Sequence, residues 1–215
     1  MEKYRLTAER YVSLTPAGAY FAVSGSGDDP ARRFLFALMQ PSSSPLLTRE
    51  ALPGLCGTDD LQEALELLHH VQKLGWIQAS EQAWQAPSGT LEDSLPGLLS
   101  PLSGSGKALL ADQQGLYLAS HGFAHETAEE LSALSADMAS VQQRHDGLLT
   151  NNLGMQSSAW AIVNASGDSQ LGFWPLFIGS QRFALVLAGL PCLNQPAFTR
   201  LVWALSKRYY QEYSQ

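Results

Sequence analysis

The amino-acid sequence predicts an α+β protein built from two parts. The C-terminal half alternates strand and helix patterns in the order strand, strand, helix, three strands, helix. The N-terminal half instead holds three helical stretches close together, and a segment rich in Gly, Ser and Pro separates the two halves. We therefore predict an N-terminal domain at residues 1–86, a linker at 87–106 and a C-terminal domain at 107–215.

The N-terminal half is predicted to begin with two strands joined by the turn Pro16-Ala17-Gly18 and to continue as helices. Asp29 and Pro30 predict a helix start, because Asp caps free backbone N–H groups and proline suits the first helical position. The last helix is the best defined, since apolar residues recur at helical spacing as far as Gly75. The predicted elements are strands at 11–15 and 19–23 and helices at 31–40, 48–55 and 59–75.

After the third helix, residues 76–79 and 82–85 are predicted to pair as a hairpin. Three helices followed by a two-stranded wing, with the run Leu74-Gly75-Trp76-Ile77 at the junction, resemble the winged-helix family. That resemblance implies DNA binding through the third helix, which usually enters the major groove. Here, however, the predicted helix carries one lysine against four carboxylates, at Asp59, Asp60, Glu63 and Glu66. We therefore expect the winged helix to dock protein rather than nucleic acid.

Within the linker, residues 91–99 predict a short helix, weakened by Pro96 and Gly97. The C-terminal half is then predicted to form a hairpin, a long helix, three strands joined by tight turns and a final helix. The predicted strands are 107–112, 115–120, 158–165, 171–177 and 182–188, and the helices are 125–145 and 194–210.

The hairpin ALLADQQGLYLASHG at 108–122, the long helix after it and the strand order resemble the roadblock/dynein light chain family. The resemblance implies a profilin-like fold, with a five-stranded antiparallel sheet flanked by helices. It also implies a homodimer in which the long helix packs on its mate and the middle strand pairs across the dimer. Such domains are platforms or regulators for small Ras-like GTPases, and some bacterial members stimulate GTP hydrolysis by a partner.

The long helix has two stripes at helical spacing. The large apolar stripe, predicted to pack on the sheet, consists of Leu131, Leu134, Met138, Val141 and His145. The second stripe is made of small or short residues, which allow another helix to approach closely. The predicted dimer interface combines this stripe with part of the next strand, and its members are Ala128, Ser132, Ser135, Ala139, Gln142, Ser158, Trp160 and Ile162.

Four aromatic residues are candidates for a second surface that contacts a partner: Trp76, Trp84, Phe173 and Trp174. The run from Phe173 to Phe177 is too aromatic for an ordinary half-exposed strand. It is interpreted either as core or as an exposed hydrophobic patch.

Composition narrows the function classes. The net charge is −7 and only 15% of residues are charged, against about 25% in a typical soluble domain. An acidic chain has no long-range attraction to nucleic acid or anionic lipid, and the longest apolar run is too short to span a membrane. We expect a cytoplasmic protein.

The chemistry-bearing residues form no recognisable catalytic or metal motif. Gly104-Ser105-Gly106-Lys107 lacks the earlier glycine and the hydroxyl residue of a phosphate loop. The histidine pairs His69/His70 and His121/His125 lack the further ligands that zinc needs. We therefore predict no enzyme activity, no metal and no cofactor.

The sequence favours a homodimeric adaptor or regulator of a small Ras-like GTPase or a signalling assembly. Two alternatives stay open at this stage. One is a DNA-binding transcription regulator that uses the winged helix, with the C-terminal domain as its dimerisation module. The other is a small-molecule sensor.

Overall fold

A computed structural model describes residues 4–210. Its N-terminal part contains, in chain order, β1 (Arg10–Leu14), α1 (Pro16–Val23), α2 (Pro30–Leu38), β2 (Leu46–Leu47), α3 (Ala51–Cys56), α4 (Leu61–Lys73) and β3 (Ile77–Ser80). A helix in the predicted linker follows, α5 (Leu91–Leu99), which continues into a single 3-10 turn. The C-terminal part contains β4 (Ala108–Ala111), β5 (Tyr117–His121), α6 (His125–Arg144), β6 (Trp160–Val163), β7 (Ser169–Ile178), β8 (Gln181–Ala188) and α7 (Pro196–Tyr209).

The predicted strand at 19–23 is wrong, because these residues belong to the helix α1. Thr15 is extended and its hydroxyl accepts a hydrogen bond from the backbone N–H of Gly18 at 3.2 Å, and Pro16 occupies the first helical position. Ala19, Ala22 and Val23 are all fully buried. A short helix buried to this extent has no polar face, so its sequence lacks the amphipathic pattern that identifies surface helices.

The predicted hairpin after α4 is also wrong in its pairing. The three-stranded N-terminal sheet has the order β2-β1-β3, and β3 pairs with β1, placing Leu14 opposite Ile77. The segment predicted as the second wing strand lies beside residues 42–44 instead, where the backbone N–H of Ser44 donates to the Trp84 carbonyl at 2.8 Å. These partners are far apart in sequence, so local turn signals could not identify them.

The predicted helix starts and stops are largely confirmed. Asp29 Oδ1 accepts from the backbone N–H of Arg32 at 3.0 Å at the start of α2. The helix predicted at 59–75 begins at Leu61 as α4, and Asp60 caps it by accepting from the Gln62 N–H at 2.8 Å. Gly57 ends α3 with a φ of 68°, a conformation that favours glycine.

The C-terminal part confirms the predicted α+β class and the five-stranded antiparallel sheet, whose order is β5-β4-β8-β7-β6. Helices α5 and α7 cover one face, in a core that includes Leu110, Leu176 and Leu185. Helix α6 covers the other face, against Leu109 and Val186. The sheet is therefore sandwiched between helices.

Buried side chains of both parts belong to one continuous core. At the junction, the Gln40 amide donates to the Ser206 hydroxyl at 3.0 Å, and the Trp203 indole N–H donates to the Pro41 carbonyl at 3.2 Å. The division at 87–106 into two domains and a linker stays a prediction about folding units. In the structure the N-terminal part packs directly against α7.

Across residues 4–210, none of the helices combines the length and the apolar character that crossing a bilayer would require.

Candidate functional site

Strand β6 forms one edge of the five-stranded sheet. It pairs with β7 alone among the described strands, which leaves the N–H and C=O groups of its outer side without a strand partner. The register places Trp160 opposite Phe173 and Ile162 opposite Leu171. Directly opposed residues in an antiparallel pair share a face, so Trp160 and Ile162 lie on the side of the sheet that carries α6.

This edge is apolar and exposed. Ile162 is 58% exposed and Val163 is 55% exposed. The residues leading to the strand include a π-helical turn at Gly147–Asn152, and they carry three further exposed apolar side chains, Leu148, Leu153 and Met155. An open strand edge with apolar side chains is a template for pairing with another chain.

The same segment is uncharged. Between Asp146 and Asp168, residues 147–167 include no Asp, Glu, Lys or Arg, although most of them are exposed. Natural proteins usually protect a free edge strand with lysine, proline or a bulge. The irregularity between Ile162 and Val163 is the only such feature at this described edge. This long uncharged stretch is a sequence signal that the sequence analysis missed.

The most buried side of α6 is the small stripe rather than the large one, although Leu131 of the large stripe also packs on the core beneath the helix. Ala128, Ser132 and Ser135 of the small stripe are buried against the sheet, whereas Leu134 of the large stripe is exposed. Two features explain this. The sheet supplies large side chains such as Phe173, which leave room only for small helix residues. The buried serine hydroxyls are satisfied within α6, since Ser132 donates to the Ala128 carbonyl and Ser135 to the Ser132 carbonyl, each at 2.7 Å.

The predicted dimer residues therefore fall into two groups. Ala128, Ser132 and Ser135 are core residues of the protomer, and their assignment to an outward surface is corrected. The others lie at or near the edge strand and are partly or largely exposed: Ala139, Gln142, Ser158, Trp160 and Ile162. Two of these touch, since the Trp160 indole N–H donates to Gln142 Oε1 at 2.8 Å. This bond ties the end of α6 to β6.

The four aromatic candidates do not form one surface. Trp76 stacks on Phe21 with ring centroids 3.8 Å apart, and Phe173 is buried beneath α6. Trp174 lies on the opposite face of the sheet, with its ring over Gly172. Only Trp84 of the four is largely exposed, at 48%. Contact of these residues with a partner stays a prediction.

Among residues 4–210, no group of three His, Cys, Asp or Glu side chains is placed to hold a metal ion. His125 instead makes local contacts, a 2.7 Å hydrogen bond with the Tyr117 hydroxyl and a 3.5 Å approach to Glu129. Burial, with a smaller contribution from Glu63, raises the pKa of the Cys56 thiol to about 12, which keeps this thiol protonated at neutral pH.

Solved structures that are similar to this chain include the following two. The roadblock/LC7 domain from Streptomyces avermitilis aligns with a TM-score of 0.36 and 19% identity, over 56% of this chain and 93% of that one. MglB from Myxococcus xanthus aligns with a TM-score of 0.32 and 14% identity, over 57% of this chain and 89% of that one.

The chain is similar in fold to a roadblock domain. The winged-helix resemblance of residues 1–86 stays a prediction. No family model matches the sequence, and no curated protein matches it.

Proposed function

We propose that this protein is a homodimeric adaptor or regulator that works through protein–protein contacts, with a small Ras-like GTPase or a signalling assembly as its partner. The observation that carries the proposal is the open, uncharged edge of β6, with Ile162 and Val163 exposed. The Ras-like partner is an expectation from the family resemblance of residues 108–122 and of the strand order.

A second copy of the chain suits the β6 edge for two reasons. Two identical strands can pair antiparallel about a two-fold axis, so each satisfies the free backbone groups of the other. The absence of charge from residues 147–167 means that self-pairing brings no like charges together. Pairing would also cover Ile162, Val163 and the neighbouring exposed leucines.

The dimer is tested by light scattering coupled to size-exclusion chromatography. Ile162→Lys places a charge in the proposed interface, and burying it unpaired is expected to cost several kcal/mol, about 100-fold or more in the dimer dissociation constant. The matched control is Leu116→Lys, an exposed leucine in the turn before β5 at the opposite edge of the sheet, which is 67% exposed. We expect wild type and Leu116→Lys to be dimers and Ile162→Lys to be a folded monomer. A dimeric Ile162→Lys protein would show that the interface is elsewhere.

The partner is tested separately by affinity capture from the source cell, once with GDP and once with a non-hydrolysable GTP analogue. Recovery of a small GTPase in one nucleotide state is the expected result, and the Ile162→Lys monomer should recover less of it if the dimer forms the docking platform. Recovery of nucleic acid with no GTPase in either state would favour the transcription-regulator alternative.

A further inference from the structure

A cleft separates the C-terminal half of α6 from the corner of the sheet formed by β6, β7 and β8. Ser135, Ala139 and Gln142 line it from the helix, and the sheet contributes the apolar side chains Trp160, Phe173 and Pro175. The cleft exists because small helix residues face this corner while the backbone of α6 lies closest to β4, β5 and β8. Its volume is about 50 Å³.

Arg182 lines the same cleft from β8. Arg182 pairs with Phe177 of β7. Ala184, two residues further along β8, packs on the side of the sheet that carries α6, so Arg182 lies on that side as well. Arg182 is half-buried, and burial lowers the pKa of its guanidinium with no carboxylate acting in the other direction. Among residues 4–210, no side chain forms an ion pair or a hydrogen bond with this guanidinium.

Asp112 is the acidic residue among those that line the cleft, and its carboxylate binds backbone groups of a turn. Asp112 Oδ1 accepts hydrogen bonds from the backbone N–H groups of Gln114 and Leu116, at 2.9 and 3.0 Å, and holds the turn between β4 and β5. Its carboxylate is not within ion-pair distance of Arg182. The cleft therefore combines apolar walls with an arginine that has no counter-charge within the described part of the chain.

We propose that this cleft binds a short-chain monocarboxylate, whose carboxylate pairs with Arg182 and whose apolar stem lies against Trp160, Phe173 and Pro175. A guanidinium matches a carboxylate with two parallel N–H···O bonds, and a partly desolvated site strengthens that pair. The volume limits the stem to a few carbon atoms, since the space corresponds to roughly four water molecules at about 12 Å³ each. The proposal does not rest on the proposed dimer, although the cleft shares Trp160 and Gln142 with the predicted dimer residues.

The experiment uses the full-length ¹⁵N-labelled protein and follows the indole N–H resonance of Trp160, assigned with Trp160→Phe. The probe is sodium butyrate, titrated at constant ionic strength, and 1-butanol and butylammonium are its neutral and cationic counterparts. We expect butyrate to shift this resonance with a dissociation constant of about 1–10 mM, as suits a six-atom ligand. Neither counterpart should shift it at the same concentration.

Arg182→Met removes the charge and retains an apolar stem of similar length, and it should weaken butyrate binding at least about tenfold. Arg200→Met, at an exposed arginine of α7, is the matched control and should leave binding unchanged. Butanol shifting the resonance as strongly as butyrate, equal butyrate binding by Arg182→Met, or no response to butyrate would each overturn the proposal. The comparison of butyrate with butanol needs only wild-type protein, so it decides the matter even if Arg182→Met fails to fold.

Discussion

Gly18→Ala tests how the first helix is held. Gly18 lies in α1 against the chain entering β3, and a Cβ atom there would stand 2.0 Å from the Trp76 carbonyl oxygen and 2.7 Å from its carbonyl carbon. The neighbouring contacts fix α1 at this distance. The backbone N–H of Thr15 donates to the Trp76 carbonyl at 3.0 Å, and the Thr15 hydroxyl donates to the Gly75 carbonyl at 2.6 Å.

The magnitude follows from two opposing effects. Alanine inside a helix is more favourable than glycine by about 1 kcal/mol. Against this, α1 must move by more than about 1 Å to restore a normal contact with Trp76. The movement disturbs the hydrogen bond from Thr15 to Trp76, at a cost of about 1 kcal/mol. It also strains the packing of Ala19 and Ala22, at a cost of about 1–3 kcal/mol. We expect Gly18→Ala to lower the free energy of unfolding by about 1–3 kcal/mol.

Gly54→Ala is the matched control. Gly54 lies in α3 with nothing within 4 Å of the added Cβ, so the same substitution should raise stability by up to about 1 kcal/mol. Urea denaturation of the three proteins gives the comparison, with the slope expected to stay constant. A Gly18→Ala protein as stable as wild type would refute the close approach of α1 to Trp76. It would also return residues 19–23 to the strand that their sequence pattern predicted.

Three further predictions concern Cys56, α6 and α4. The pKa of Cys56 in the folded protein is about 12, against an ordinary value of 9.0. The contribution of the neutral thiol to stability is therefore full below pH 9.0 and is lost as the pH rises towards 12. Urea titrations of wild type and Cys56→Ala should show this loss, and a stability difference between the two proteins that does not change with pH would contradict it. Ser135→Arg should unfold or strongly destabilise the protein in thermal denaturation, since Ser135 is a core residue; a stable, folded variant would show that this side of α6 is open. Fluorescence anisotropy at low salt should detect no binding to random duplex DNA, because the exposed side of α4 carries the negative charges of Glu63 and Glu66. Binding that weakens with added salt would instead favour the transcription-regulator alternative.

The C-terminal elements could be predicted because each strand is an apolar run bounded by its own turn. The turns at Gly167 and Gly179 have positive φ, the conformation that hairpin connections require. Strands joined by such short turns pair with their sequence neighbours, so these pairings follow from local signals, whereas β4 pairs with β8, which is far away in sequence. The hairpin β4–β5 follows the same rule.

The N-terminal sheet could not be predicted in this way. Strand β1 joins β2 and β3 across long intervening segments that contain four helices. Its pairing is decided by the packing of the helices between them, so a pattern that looked like a local hairpin at 76–85 was assigned the wrong partner. The helix α1 was missed for a related reason, because burial on several sides removes the periodicity by which helices are recognised.

For the candidate site, the sequence located the segment but not the face. It named Trp160 and Ile162 on a strand that was expected to be the middle one and that the structure places at the edge of the sheet, and it assigned the serine stripe of α6 to the outside. The error came from ranking residues by hydrophobicity alone. A serine whose hydroxyl donates to a carbonyl within its own helix can be buried without leaving a polar group unsatisfied, as at Ser132 and Ser135.

Ala128, Ser132 and Ser135 of the small stripe consequently serve the protomer rather than a mate. Small side chains let the helix approach the bulky centre of the sheet, and at the β6–β7–β8 corner they leave the cleft beside Arg182. The helix therefore does not extend over the outer strand, where Ile162 is left exposed. The packing of small α6 residues against the sheet thus leaves both the cleft and the open edge. Since the cleft and the edge share Trp160, which bonds to Gln142 of α6, an occupant of the cleft would contact the strand through which we propose that two copies pair.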